Sequence, residues 1–217
     1  MESVRDPELP GLLLRTERDA LIPLLRARPD EDFAIRTCCP GWTVRHVLAH
    51  CGAALMRVVE GRFEEGVFSP ESNDRDIAER AEWSRSRVVD ELERGMTEAG
   101  PVIARAGHGR LDAIAVGEWV HAGDVREAWG EPGAYEGEGL KHALALLAGI
   151  TRARKALPLL ARLDGHDAPL VLGADSPEPA AYTGSAATLI RLLAGRPLTG
   201  TRYELSGAKE KELVFFD

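Results

Sequence analysis

Apolar residues recur at helical spacing through most of the first 130 positions and then change rhythm. Leu12, Leu13, Leu14, Leu21, Ile22, Leu24 and Leu25 predict a helix over residues 9–28 that stops before Pro29. A second helix is expected over 43–60. Thr43 is its N-cap, Gly61 its stop, and Val44, Val47, Leu48, Cys51, Leu55, Val58 and Val59 its inward stripe. Residues 74–99 predict one charge-rich helix with Ile77, Ala81, Val88, Leu92 and Met96 facing in. A fourth helix covers 111–129 and is punctuated by Gly130 and Pro132.

Beyond residue 133 the pattern shortens. Residues 137–163 read as a further helix, bent or stopped near Pro158. Strand candidates follow at 169–172, 202–206 and 212–216, with a helix over 185–195 closed by Gly195. The expected architecture is mainly α. An up-and-down four-helix bundle occupies 1–132, and a small α/β domain occupies 133–217. No repeat or low-complexity tract interrupts it.

The bulk composition narrows the function classes. The 217-residue chain is 44% hydrophobic and 29% charged, as a globular protein is. Its net charge of −8, with arginines interleaved among Glu and Asp, argues against nucleic acid as a partner. No apolar run approaches the length of a membrane span, and MESVRDPELP has no apolar core of the kind a signal peptide carries. Cys38, Cys39 and Cys51 are too few and too clustered for a disulfide framework, so a reduced, cytoplasmic setting is expected. The HExxH, GxSxG, GxGxxG and P-loop patterns are all absent.

Candidate chemistry lies on the second and fourth helices. In the fourth, Leu111, Ile114, Ala115, Ala122, Val125 and Trp129 form a stripe with one carboxylate, Glu118, inside it. His121 stands three residues on and shares that face, with Asp124 three further. A buried carboxylate costs several kcal/mol unless it is paired or binds a metal. His50 sits at the edge of the second helix's stripe. With Glu118 and His121 it would make a three-ligand site for zinc or another divalent ion, with one position open to water or substrate. Competing readings stand beside it. Glu118 could pair with an arginine, leaving a purely structural bundle. Cys38, Cys39, His46 and His50 could form a structural zinc cluster, although vicinal cysteines make a poor chelate. Cys51 reads as a small core residue, His46 as an accessory or surface residue, and His108, His142 and His166 as surface.

Thr37, Cys39-Pro40-Gly41-Trp42-Thr43-Val44 and Ala49-His50 resemble the T-x-C-P-G-W-[ST]-V signature of mycothiol-dependent maleylpyruvate isomerase-like proteins. These belong to the wider DinB/YfiT-like four-helix metalloproteins. Trp119-Val120-His121-Ala122 with Asp124-Val125 is similar to a second signature, and Leu192 to Arg196 to a third. The resemblance implies a DinB-like fold and a divalent metal, usually zinc, on His50 and His121. The family carboxylate stands four residues before the second histidine, where this chain has Gly117, and Glu118 is the local substitute. It further implies mycothiol or a similar thiol as cofactor, and isomerase or S-transferase chemistry on a small-molecule substrate. Arg196 is the implied catalytic residue facing a substrate carboxylate. The alternative is a DinB-like protein that binds metal or ligand without turnover. A homodimer is one assembly left open.

Overall fold

The computed structural model describes residues 5–63 and 69–216, in two compact units. The first, Asp6–Ala134, carries α1 (Leu9–Ala27), α2 (Val44–Glu60), α3 (Pro70–Glu79), α4 (Arg85–Arg105) and α5 (Asp112–Ala128). The four long helices form the expected bundle. α1 and α2 each pack against both α4 and α5, which sets the order α1, α4, α2, α5 around the core. Leu13, Leu21, Leu25, Val47, Leu55, Leu92, Ile103, Ala115 and Val125 fill its interior. The helices come closest where side chains vanish. A β-carbon on Gly100 of α4 would stand 2.8 Å from the Cα of Gly11 in α1, and one on Gly95 would stand 2.6 Å from the Leu55 Cβ.

The charge-rich segment departs from expectation. It is two helices rather than one, broken at residues 80–84. The break is held by polar contacts to other helices. Arg45 of α2 donates to the carbonyls of Arg80, Ala81 and Trp83, and Arg80 bonds both oxygens of Glu91. Ser84 then caps α4, accepting from the Arg87 N–H at 3.3 Å. Ala81, expected inside, is exposed in that turn. In α3 the buried side of the helix is polar, because Asp76 pairs with the buried Arg57 of α2.

The second unit begins at Tyr135 and holds α6 (Leu140–Ala153), β1 (Leu159–Leu163), β2 (Leu170–Leu172), β3 (Ala180–Gly184), α7 (Ala186–Leu193), β4 (Tyr203–Ser206) and α8 (Glu210–Leu213). The sheet runs β2-β1-β3-β4, with β1 and β3 parallel and both outer pairs antiparallel. Three expectations need correction. The helix over 137–163 ends at Ala153, and its last five residues form β1, where Leu159, Ala161 and Leu163 are buried in alternation. Strand β3 falls on Ala180–Gly184, which the sequence pattern did not single out. The 212–216 segment is not a strand: α8 ends at Leu213, whose side chain is buried, and the Phe215 N–H then bonds the Leu193 carbonyl at 2.7 Å.

Candidate active site

The segment before α2 explains how α2 is aimed. Pro40-Gly41 forms a tight turn in which the Trp42 N–H bonds the Cys39 carbonyl at 3.0 Å, and Gly41 takes φ +80°. Glycine suits that position because a β-carbon is strained there. The Thr37 N–H bonds the Trp42 carbonyl at 3.0 Å, and Arg36 bridges to Thr43, so the loop closes on itself. Thr43 then starts the helix in a capping box. Its hydroxyl accepts from the His46 N–H at 3.4 Å, and its own N–H donates to His46 Nδ1 at 3.4 Å. His46 is therefore a cap, at a position where Glu or Gln is usual.

His50 follows one turn later and meets His121 of α5. Their ring centroids lie 5.3 Å apart at 82°, and the Trp42 ring lies 5.1 Å from His50 and 6.3 Å from His121. His50 Nδ1 is buried without a hydrogen-bond partner. Burial, reinforced by His121 and Arg57, pushes the His50 imidazole down to about 3, so the ring is neutral and keeps a lone pair. Glu118 is also buried, and its Oε2 has no partner. The Cys51 thiol hydrogen-bonds to Glu118. Burial pushes the Glu118 carboxyl up to about 7, only partly offset by His121 and that thiol. Among the described residues no arginine pairs with Glu118, so the condition for the purely structural reading is not met.

A second group of donors lies beside His121. Asp124 is completely buried. Cys38 Sγ is 3.2 Å from its Oδ1 and Cys39 Sγ 3.2 Å from its Oδ2. His121 Nδ1 is 2.9 Å from Oδ2 and 3.9 Å from Cys39 Sγ. A carboxylate only accepts, so the imidazole donates from Nδ1, and Nε2 is the ring nitrogen left for another partner. The neighbouring Cys39 thiol, burial and the Asp124 charge all push the Cys38 thiol up.

The predicted metal ligands are thus brought together only in part. His50 and His121 face each other, and Glu118 sits one turn before His121 on α5. Among the described residues, the set of three donors whose ligand atoms all lie within 4.8 Å of one another is Cys38, Cys39 and Asp124. His46 is not part of it, so the competing four-residue zinc cluster is not assembled. Gly117 leaves open space on its helix: nothing lies within 4 Å of where its β-carbon would be. In the second unit, half-buried Arg196 donates to the Ala194 carbonyl at 3.1 Å. Sequence reasoning overlooked Asp124 as an acceptor for both cysteines. The available signal was its three-residue spacing from His121.

The model for the mycothiol maleylpyruvate isomerase N-terminal domain matches residues 14–183. Among solved structures, the chain is similar to the mycothiol-dependent maleylpyruvate isomerase, with a TM-score of 0.58 at 18% identity, covering 95% of this chain and 96% of that one. A histidine-to-alanine mutant of a mycothiol-dependent maleylpyruvate isomerase gives a TM-score of 0.57 at 18% identity, again covering 95% and 96%. At that identity the likeness speaks for the fold. No curated protein matches the chain by sequence.

Proposed function

Since the chain belongs to the mycothiol maleylpyruvate isomerase N-terminal domain family, we propose that it is a divalent-metal-dependent enzyme using mycothiol or a similar small thiol. Its reaction is isomerisation or S-transfer on a small molecule. The observation that carries this reading is the pair of buried ligand atoms without partners, His50 Nδ1 and Glu118 Oε2, beside a His121 whose Nδ1 is committed to Asp124. Buried polar atoms ordinarily find partners, and these two belong to residues of a single candidate ligand set. Their chemistry suits a divalent ion of the zinc type.

His50, His121 and Glu118 would hold the ion, which when bound would lower the pKa of a thiol and present it as thiolate. The chain's own residues supply the rest. Asp124 fixes the tautomer and orientation of His121, a carboxylate–histidine arrangement common at metal sites. The capped start of α2 sets the direction of His50, and Trp42 lies against both imidazoles. A thiolate delivered there can add to an activated double bond and leave again, giving cis–trans isomerisation, or displace a leaving group, giving S-transfer.

Gly117 favours a second reading, metal or ligand binding without turnover, because the family carboxylate position carries no side chain. Two measurements on untagged full-length protein separate them: metal content by plasma mass spectrometry, and mycothiol-dependent turnover of maleylpyruvate. The enzyme reading expects a divalent-ion content that falls by about one ion per chain in His121→Ala, together with thiol-dependent turnover. Metal without turnover selects the binding protein. Absence of metal after reconstitution sinks the enzyme reading and leaves a protein that binds a ligand without metal.

A further inference from the structure

The two cysteines of the loop before α2 have no role in the chemistry proposed so far, yet both converge on one buried carboxylate 85 and 86 residues away. Consecutive side chains on an extended strand point to opposite faces, which is why vicinal cysteines usually chelate poorly. Here the loop turns. The Cys39 N–H bonds Thr37 Oγ1 at 3.2 Å, and the Pro40-Gly41 turn follows at once, so both sulfurs reach the same aspartate. The resulting group is unusual for a structure held only by hydrogen bonds. Two thiols, which are weak donors, and an imidazole N–H all point at a single carboxylate. That is how a set of metal ligands looks while it still carries its protons.

We propose that Cys38, Cys39 and Asp124 form a binding site for a thiophilic divalent cation of the zinc and cadmium class, bordered by His121. Spacing supports it. With metal–sulfur and metal–oxygen bonds of about 2.3 and 2.1 Å, neighbouring vertices of a tetrahedron stand roughly 3.4 to 3.8 Å apart. The two sulfur–oxygen separations are 3.2 Å, and the ligand atoms of the three residues all lie within 4.8 Å of one another, close to that spacing. Charge supports it as well. Entry of M²⁺ expels one proton from each thiol, so two thiolates and one carboxylate enclose a dication. The group keeps the net charge of −1 that it had as two thiols and a carboxylate. Binding therefore adds no uncompensated charge to a buried region, where such charge is costly. Soft sulfur ligands select for this class over magnesium or calcium. The site needs only these three ligands, and His121 remains available to the histidine pair.

The test is a cobalt(II) titration of reduced, chelator-treated full-length protein, read by absorption and by proton release in weak buffer. The expected result is an intense thiolate-to-cobalt charge-transfer band that saturates near one equivalent, with two protons released per ion. The band weakens in Cys38→Ser and disappears in the Cys38→Ser/Cys39→Ser variant. It persists in Cys51→Ala and in His50→Ala. Circular dichroism checks that each variant is folded. Weak ligand-field bands alone, with no charge transfer, would overturn this site while leaving the histidine-based site standing. No cobalt uptake overturns both. Loss of the band in Cys51→Ala would also overturn it, because the sulfur ligand would then be on α2.

Discussion

Glu118 allows a quantitative test, because its carboxyl is buried and held at about 7 in the metal-free protein. The unfolded chain titrates the same group near 4.5. Between those values the folded state binds the proton more tightly than the unfolded state, so stability falls as pH rises. Below about 4.5 both states are protonated and the effect vanishes. Above about 7 both are ionised and the loss is complete. The full displacement amounts to about 3 kcal/mol at roughly 1.4 kcal/mol per pH unit, and about 2.5 kcal/mol of it falls between pH 5 and pH 8. The perturbation is Glu118→Gln, which keeps the shape and cannot ionise. Urea unfolding of chelator-treated wild type and variant, at unit steps from pH 5 to pH 8, gives the difference in stability at each pH. Subtraction cancels groups common to both proteins, the buried His50 among them. The wild type should lose about 2 to 3 kcal/mol relative to the variant across the series. Parallel curves, or a wild type that gains on the variant with pH, would refute the burial argument. Adding one equivalent of zinc should flatten the difference, since a coordinated carboxylate stays ionised in the folded state.

Substitutions at three further positions have defined outcomes. Gly100→Ala sets a β-carbon 2.8 Å from the Gly11 backbone, so overpacking of about 1–3 kcal/mol should outweigh Ala's helix preference of about 1 kcal/mol. Gly117→Ala, with open space around it, should instead raise the melting temperature by a few degrees, so calorimetry of the two separates steric from propensity effects. Gly117→Glu places a carboxylate four residues before His121, and isothermal titration with zinc should show at least about tenfold tighter binding, equivalent to ~1.4 kcal/mol; unchanged affinity would detach that face of α5 from the metal. His46→Ala should cost about 0.5–1 kcal/mol of stability in urea unfolding, and His46→Gln should recover it. Burial, with Arg36 and Arg45, holds the His46 imidazole below its ordinary 6.5, so its cap is intact above that pH and lost as the pH falls.

The long helices of the bundle could be read from the chain because each buries a continuous stripe, as Val47, Leu48, Cys51, Leu55 and Val58 do in α2. The break at residues 80–84 could not. Neither Gly nor Pro stops a helix there, Ser84 is the one local cap, and the turn is held by Arg45 and Glu91 from other parts of the chain. Strand β1 was hidden because Leu159, Leu160 and Leu163 prolong the apolar run of the preceding helix beyond Pro158, and only pairing with β2 and β3 selects the two-residue period. At the site, His50 and His121 were legible from motif and helical face. The partnership of Cys38 and Cys39 with Asp124 was not, since it depends on a turn geometry and on a contact across most of the bundle's sequence.

The crossing of α1 and α4 has a consequence for how this sequence can change. Gly11 and Gly100 each occupy the space that the other's side chain would need. A larger residue at either position cannot be relieved by trimming its partner, because the partner has nothing left to lose. The pair therefore acts as a single locked position under mutation. Enlargement becomes tolerable only when the helix separation itself widens, which requires simultaneous refilling of the surrounding core. Random libraries should show position 100 among the least permissive of the bundle, and compensating substitutions should appear in neighbouring core residues, not at position 11.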